Sequence, residues 1–128
     1  MRVLIVEDHP DILDVLERFC SRSGHQVTAA ESLQTGIDFL HTEPFDAIIA
    51  DIDLPDGTGY TLIGEARRSG SKALGIALSD YDHPSGVDES KITGFDCYLR
   101  KPCSFAELGS LLEQAGGGGR DFGSSTEA

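Results

Sequence analysis

The stretch Phe45-Asp46-Ala47-Ile48-Ile49-Ala50-Asp51-Ile52-Asp53-Leu54-Pro55-Asp56-Gly57-Thr58-Gly59 constrains this chain more than any other. An apolar run ends abruptly at a carboxylate, and Pro55, Gly57 and Gly59 then force a turn. A short apolar run bounded by turn residues reads as a buried strand. Asp51 therefore stands at the C-terminal end of such a strand, with further carboxylates just beyond it. In open α/β sheets, ligands bind outside the carboxyl ends of the strands. Taken alone, Asp51 has two readings. It belongs to a site of that kind, or it caps the strand end and the turn, since Asp is a common turn residue.

The rest of the chain repeats the pattern. Residues 2–6 are an apolar strand ending at Glu7-Asp8. A helix then starts at Pro10 or Asp11, carries Ile12, Val15, Leu16 and Phe19 at helical spacing, and stops at Gly24. Residues 25–30 form a weaker second strand. Ser32 is an N-cap for a helix with Leu33, Ile37 and Leu40 on one face. After the central strand and its turn, residues 60–68 read as a third helix with Leu62, Ile63 and Ala66 inward. Residues 73–79 are a fourth buried strand ending at Ser79-Asp80. A fourth helix is expected over 85–93, weak because it is mostly polar and contains Gly86. Residues 96–100 are a fifth strand, ended by Lys101-Pro102. Ser104 caps a last helix with Phe105, Leu108, Leu111 and Leu112 as its apolar face. From Gly116 the composition turns glycine-rich. The expected organisation is a domain over 1–115 and a flexible tail or linker over 116–128. Strands alternating with helices predict an α/β fold, a doubly wound parallel sheet with helices on both faces.

Composition excludes several classes. The chain has 128 residues, one domain's worth, and a formal net charge of −12. That charge repels nucleic acid and anionic membrane surfaces, so neither is an expected direct partner. No apolar stretch approaches the ~20 residues of a membrane span. The apolar run Val3–Val6 is too short for a signal peptide, which makes a cytoplasmic protein the expectation. Cys20, Cys97 and Cys103 show no CxxC spacing and read as reduced thiols. His9, His25, His41 and His83 show no ligand spacing, and His9 reads as a surface residue beside the acidic pair.

In a parallel sheet, Glu7-Asp8, Asp51, Ser79 and Lys101 all reach the same edge. Three carboxylates, a hydroxyl and an ammonium then surround one crevice. Clustered carboxylates need a cation, and an oxygen-only donor set suits a hard divalent ion, Mg²⁺ foremost. Such an ion with open positions invites phosphate, and the lysine and hydroxyl are typed to hold phosphoryl oxygens.

This arrangement resembles the receiver domain of two-component response regulators, over about residues 2–115. The motifs are the acidic pair Glu7-Asp8, Asp51 followed by Leu54-Pro55 and Gly59, Leu78-Ser79, and Gly94-Phe95-Asp96-Cys97-Tyr98-Leu99-Arg100-Lys101-Pro102. Their separations, 28 residues from Asp51 to Ser79 and 22 from Ser79 to Lys101, fit the family. The resemblance implies a flavodoxin-like, five-stranded sheet of order 2-1-3-4-5. It implies that Asp51 is the phosphoacceptor, taking a phosphoryl group from a phosphohistidine of a sensor histidine kinase or phosphotransfer protein. It implies Mg²⁺ bound by the Asp8 and Asp51 side chains, the Asp53 backbone carbonyl and, through water, Glu7. Lys101 would pair with the acceptor and then with the phosphoryl oxygens. Ser79 and Tyr98 would be the switch residues, with a downstream partner reading a face over about 85–115. The Lys101-Pro102 bond would be cis. The implied role is a signalling domain rather than an enzyme, and a monomer or weak dimer. The blander readings are Tyr98 as a sheet-edge aromatic, Ser79 as a loop cap and Lys101 as a solvated charge.

Three settings fit the resemblance: a stand-alone receiver, a receiver segment of a hybrid sensor histidine kinase, or the receiver of a longer regulator with an output domain. Two other classes share parts of the pattern. A flavin-binding protein of this fold would need a phosphate-binding loop after the first strand, where this chain has Glu7-Asp8-His9-Pro10. A Mg²⁺-dependent phosphatase with an Asp nucleophile usually carries Asp-x-Asp after its first strand, whereas Asp51-Ile52-Asp53 follows the third. Departures from the family pattern are Asp80, where a small residue is usual, Tyr81 two residues after Ser79, and Cys103 in place of a Phe. Asp80 predicts slower phosphorylation by small donors or an altered phosphoryl lifetime.

Overall fold

The computed structural model describes residues 1–80, 94–102 and 104–116. The expected helix over 85–93, Tyr81, Cys103 and the segment 117–128 lie outside these residues. The elements run β1 (Arg2–Val6), α1 (Pro10–Arg22), β2 (Gln26–Ala30), α2 (Leu33–Thr42), β3 (Ala47–Asp51), α3 (Gly59–Arg68), β4 (Leu74–Ser79), β5 (Cys97–Arg100) and α4 (Phe105–Gly116). A two-rung antiparallel hairpin, Asp53–Leu54 against Gly57–Thr58, sits between β3 and α3. The five strands β1 to β5 form one parallel sheet in the order β2-β1-β3-β4-β5. This is the expected doubly wound, flavodoxin-like order. The last helix runs through Gly116, one residue past the expected boundary of the folded part.

Side chains of successive strand residues point to opposite faces, so each central strand feeds two cores. Leu4, Val6, Ile48, Ala50 and Ala77 face one side and meet Leu33, Leu62, Ile63, Ala66 and Phe95. Val3, Ile5, Ile49, Ile76 and Leu78 face the other and meet Leu13, Leu16, Cys20, Leu108 and Leu112. Helices α2 and α3 thus cover one face, and α1 and α4 the other. β1 and β3 are buried on both faces, which is why they read as unbroken apolar runs rather than as alternation.

The local signals act as expected in most places. The Ser32 hydroxyl accepts from the Thr35 amide at 3.2 Å and starts α2. The Ser104 hydroxyl accepts from the Glu107 amide at 3.2 Å and starts α4. Gly24, at φ +93°, ends α1 in the left-handed conformation that glycine adopts without strain. One helix face is corrected. The buried stripe of α1 is Leu13, Leu16 and Cys20, with Ile12 and Phe19 packed half-buried beside it, while Val15 is 46% exposed. The inward i, i+3, i+7 stripe starts one position after Ile12, which rotates Val15 to the outer flank. Phe105 of α4 is also outward, 39% exposed, and stacks on Phe19 of α1 with ring centroids 4.9 Å apart. Among the described residues, no helix is long and apolar enough to cross a membrane.

Candidate functional site

Parallel strands deliver their carboxyl ends to one edge. β1 hands over to Glu7-Asp8, β3 ends on Asp51, β4 on Ser79, and β5 is followed by Lys101. The backbone ties these ends together: the Ile52 amide donates to Leu78 O at 3.1 Å and the Lys101 amide to Ser79 O at 2.7 Å. The Lys101-Pro102 peptide bond is cis.

Lys101 is the cation of the cluster. Its Nζ donates to Asp51 Oδ2 at 2.7 Å and lies 3.1 Å from Glu7 Oε1. Glu7 Oε1 is buried and faces this ammonium without reaching hydrogen-bonding geometry. The other Glu7 oxygen accepts the His9 amide at 3.1 Å. Asp51 Oδ1 accepts the Asp53 amide at 3.0 Å, so the turn after β3 aims the Asp51 carboxylate. Glu7, Asp51 and Ser79 are all buried, with Glu7 fully so.

Burial and position set the charge states. Burial raises the Glu7 carboxyl above its ordinary value; the His9 amide opposes this, the Asp51 charge adds to it, and Lys101 counters. Burial pulls the Lys101 ammonium down, but its hydrogen bond to Asp51 and its contact with Glu7 outweigh that and leave it raised. Lys101 is therefore charged at neutral pH, and Glu7 is the partner whose charged form burial disfavours.

Oxygen atoms of Glu7, Asp8 and Asp51 lie within 4.8 Å of one another. Asp8, Asp51 and Asp53 line a crevice of about 510 Å³ together with His9, Asp80, Lys101 and Pro102. An all-oxygen set with an exposed opening fits a hard divalent cation that retains water. The orphaned Glu7 Oε1 is the kind of buried acceptor that a bound water would satisfy.

The family description "response regulator receiver domain" matches residues 3–113. This chain belongs to the receiver domain family of two-component response regulators. The receiver is 31% identical over 116 residues to an uncharacterised 14.6 kDa protein of Leptolyngbya boryana, covering 89% of this chain and 88% of that protein. It is 36% identical over 113 residues to the KDP operon transcriptional regulatory protein KdpE of Escherichia coli, covering 88% of this chain and 50% of KdpE. The chain thus spans about half the length of that regulator. In backbone it is similar to the response regulator protein TrrA of Thermotoga maritima, solved in complex with Mg²⁺ and BeF. That match has a TM-score of 0.78 at 27% identity and covers 89% of this chain and 97% of TrrA.

The fold brings Glu7, Asp8, Asp51 and Lys101 of the receiver into one cluster, with Ser79 buried at the same sheet edge. Asp53 is exposed at the crevice wall. Tyr98 does not line the crevice. It is half-buried on β5 and packs on Phe95, with ring centroids 6.0 Å apart. His9 lies at the rim, exposed, and contributes its backbone amide rather than its ring to Glu7. One participant escaped the sequence reading. Asp56, in the turn after Asp51, accepts the Leu33 and Gln34 amides at the start of α2, and nothing in the local sequence announces a partner 22 residues upstream.

Proposed function

We propose that this receiver takes a phosphoryl group onto Asp51 from a phosphohistidine of a sensor histidine kinase or phosphotransfer protein, with Mg²⁺ in the acidic crevice. The observation that carries this reading is the Lys101–Asp51 contact at 2.7 Å beside the Glu7, Asp8 and Asp51 oxygen cluster. An Asp51 oxygen attacks phosphorus, the new O–P bond forms as the P–N bond breaks, and the histidine nitrogen leaves with the electron pair. The product is an acyl phosphate on Asp51.

Transfer of this kind passes through a loose transition state, so positioning and charge neutralisation supply most of the catalysis. Asp8, Asp51, the Asp53 carbonyl and, through water, Glu7 are the residues that would hold Mg²⁺. When bound, the ion neutralises charge on the transferring oxygens. Lys101 stabilises the acceptor in the resting state and the phosphoryl oxygens afterwards. Ser79, buried at the end of β4, is in reach of the sheet edge where a phosphoryl group would sit, and Tyr98 is the aromatic that would repack behind it. The likeness to TrrA, solved with Mg²⁺ and BeF, supports the cation and phosphoryl assignments.

The donor protein would rest beside the crevice. An almost wholly apolar hollow of about 290 Å³ lies between α1 and α4, lined by Ile12, Val15, Pro102 and Phe105 among others and touching Lys101. Its exposed Val15 and Phe105 suit a partner helix that delivers its histidine to the crevice. The downstream partner reads a face over about 85–115. The domain is a cytoplasmic signalling module, and its phosphorylation and dephosphorylation are its own chemistry rather than turnover of a substrate.

Intact mass after incubation with Mg²⁺ and acetyl phosphate tests the proposal. The expected outcome is a gain of one phosphoryl group that requires Mg²⁺ and is absent in Asp51→Asn. A gain that survives in Asp51→Asn would overturn the assignment of the acceptor.

A further inference from the structure

The turn that follows the acceptor is anchored at both ends. At its base, the Asp53 amide donates to Asp51 Oδ1 at 3.0 Å and the Gly59 amide to Ile52 O at 2.9 Å. A Cβ at Gly59 would stand 2.5 Å from the Asp51 carbonyl oxygen, so only glycine lets the chain return that closely. At its tip, Asp56 reaches across to another element. Its Oδ1 accepts the Leu33 amide at 2.8 Å and its Oδ2 the Gln34 amide at 3.0 Å. These are the first two amides of α2, which have no partner within the helix. The third, Thr35, is taken by Ser32. Packing closes the same gap: a Cβ at Gly57 would run into the Leu33 side chain.

Two carboxylate oxygens on two adjacent amides make a contact that is exacting in geometry and favoured by the positive end of the helix dipole. The α2 amides hold the Asp56 carboxyl below its usual range, which keeps it ionised. The hairpin it belongs to has only two rungs and does not hold its own shape. Ser32 already caps α2, so the second contact does more for the hairpin than for the helix.

We propose that Asp56 is a positioning residue: by docking the hairpin tip on the first turn of α2, it fixes the backbone between Asp51 and Gly59 in the conformation that presents the Asp51 carboxylate and the Asp53 carbonyl to a cation. This rests on the reading of Asp51 as a cation-assisted phosphoacceptor. Coupling of this kind is reciprocal. Cation binding at the base of the hairpin tightens the grip of its tip on α2.

Comparison of Asp56→Ala, Asp56→Asn and Ser32→Ala with wild type separates positioning from capping. Mg²⁺ affinity is measured by calorimetric titration, and hydrogen exchange at the Gly59 amide by NMR. Asp56→Ala is expected to weaken Mg²⁺ binding by about 5-fold or more and to speed exchange at Gly59. Asp56→Asn, which retains one amide-accepting oxygen, falls between. Ser32→Ala removes a cap from the same helix and lowers thermal stability, but leaves Mg²⁺ affinity and Gly59 exchange unchanged. The proposal is overturned if Asp56→Ala leaves both readouts at wild-type values, or if Ser32→Ala moves both equally. Should wild type bind no Mg²⁺, the cation reading of the crevice fails, and Gly59 exchange alone decides whether Asp56 holds the hairpin. Should Asp56→Ala not fold, Asp56→Asn against Ser32→Ala carries the same comparison.

Discussion

Two ion pairs of this receiver differ in what water does to them. Arg18 meets Asp14 at 3.1 Å on the outer face of α1, with side chains 67% and 54% exposed. Lys101 meets Asp51 at 2.7 Å and Glu7 at 3.1 Å, with side chains 15%, 7% and 0% exposed. The first pair is screened and costs side-chain entropy to form, so it contributes little. The second has been taken out of water, at a desolvation cost that offsets its own attraction. Two carboxylates share one ammonium there, with Asp8 close by. Such a cluster is poorly suited to stabilise a fold. Its oxygen donors fit a hard cation, and the two apolar layers beneath supply the stability that it lacks.

The sharpest test of that contrast is in the layers. Leu62 is fully buried between α3 and the sheet. Leu62→Ala is expected to cost about 3 kcal/mol in denaturant unfolding while leaving Asp51 able to accept phosphate in whatever protein remains folded. Next comes Lys101→Met, which retains the aliphatic stem and removes the charge. It leaves Glu7 and Asp51 facing each other unneutralised and is expected to cost about 2 kcal/mol, less than for a fully enclosed pair because water reaches Lys101. Phosphorylation by acetyl phosphate should fall far more than stability does. Equal losses in both would mean that Lys101 is structural.

The third test uses pH. The Glu7 carboxyl is raised above its ordinary value of 4.5 by burial first and by the Asp51 charge. Between the ordinary value and the raised native one, the native state holds more of this proton than the unfolded chain does. Stability therefore falls as pH rises from 4.5 through the native value, and is flat with respect to Glu7 above it. Unfolding followed across that window without divalent cation should show this decline in wild type and a shallower one in Glu7→Gln. Identical slopes would remove Glu7 from the cluster's charge balance.

Smaller effects are expected at the rim. Asp80 is exposed and lines the crevice with Asp8, Asp51 and Asp53. Asp80→Ala should speed phosphorylation by acetyl phosphate several-fold and change stability by less than about 0.5 kcal/mol; an unchanged rate would show that the carboxylate does not hinder small donors. The smallest effect belongs to the exposed pair. Arg18→Ala should stay within about 0.5 kcal/mol in the same unfolding assay and leave phosphorylation untouched.

Much of this was readable before the fold was in hand, because it rests on local chemistry. Asp51 follows an apolar run and precedes Pro55 and Gly57, and each of these types acts on its own neighbourhood. Ser32 and Ser104 cap the helices they precede. The parallel topology then follows from alternation, and it alone requires that Glu7, Asp51, Ser79 and Lys101 share an edge. Val15 marks a limit of the same method. Ile12, Leu16 and Phe19 pack against the core together with Leu13 and Cys20, yet Val15, at the same helical spacing, is 46% exposed. Periodicity shows that a helix has an apolar side, but the angle at which it lies on the sheet decides which residues are under it.

The sequence by itself determined the strand ends, the residue types at them and hence the chemistry the edge can do, since strand formation and turn formation depend on near neighbours. Only the tertiary structure decided how one lysine divides itself between Asp51 and Glu7, and that the Asp56 carboxylate holds the Leu33 and Gln34 amides. Those contacts join residues far apart in the chain. Their distances depend on how three strand ends, the hairpin and α2 pack, which no stretch of sequence encodes locally.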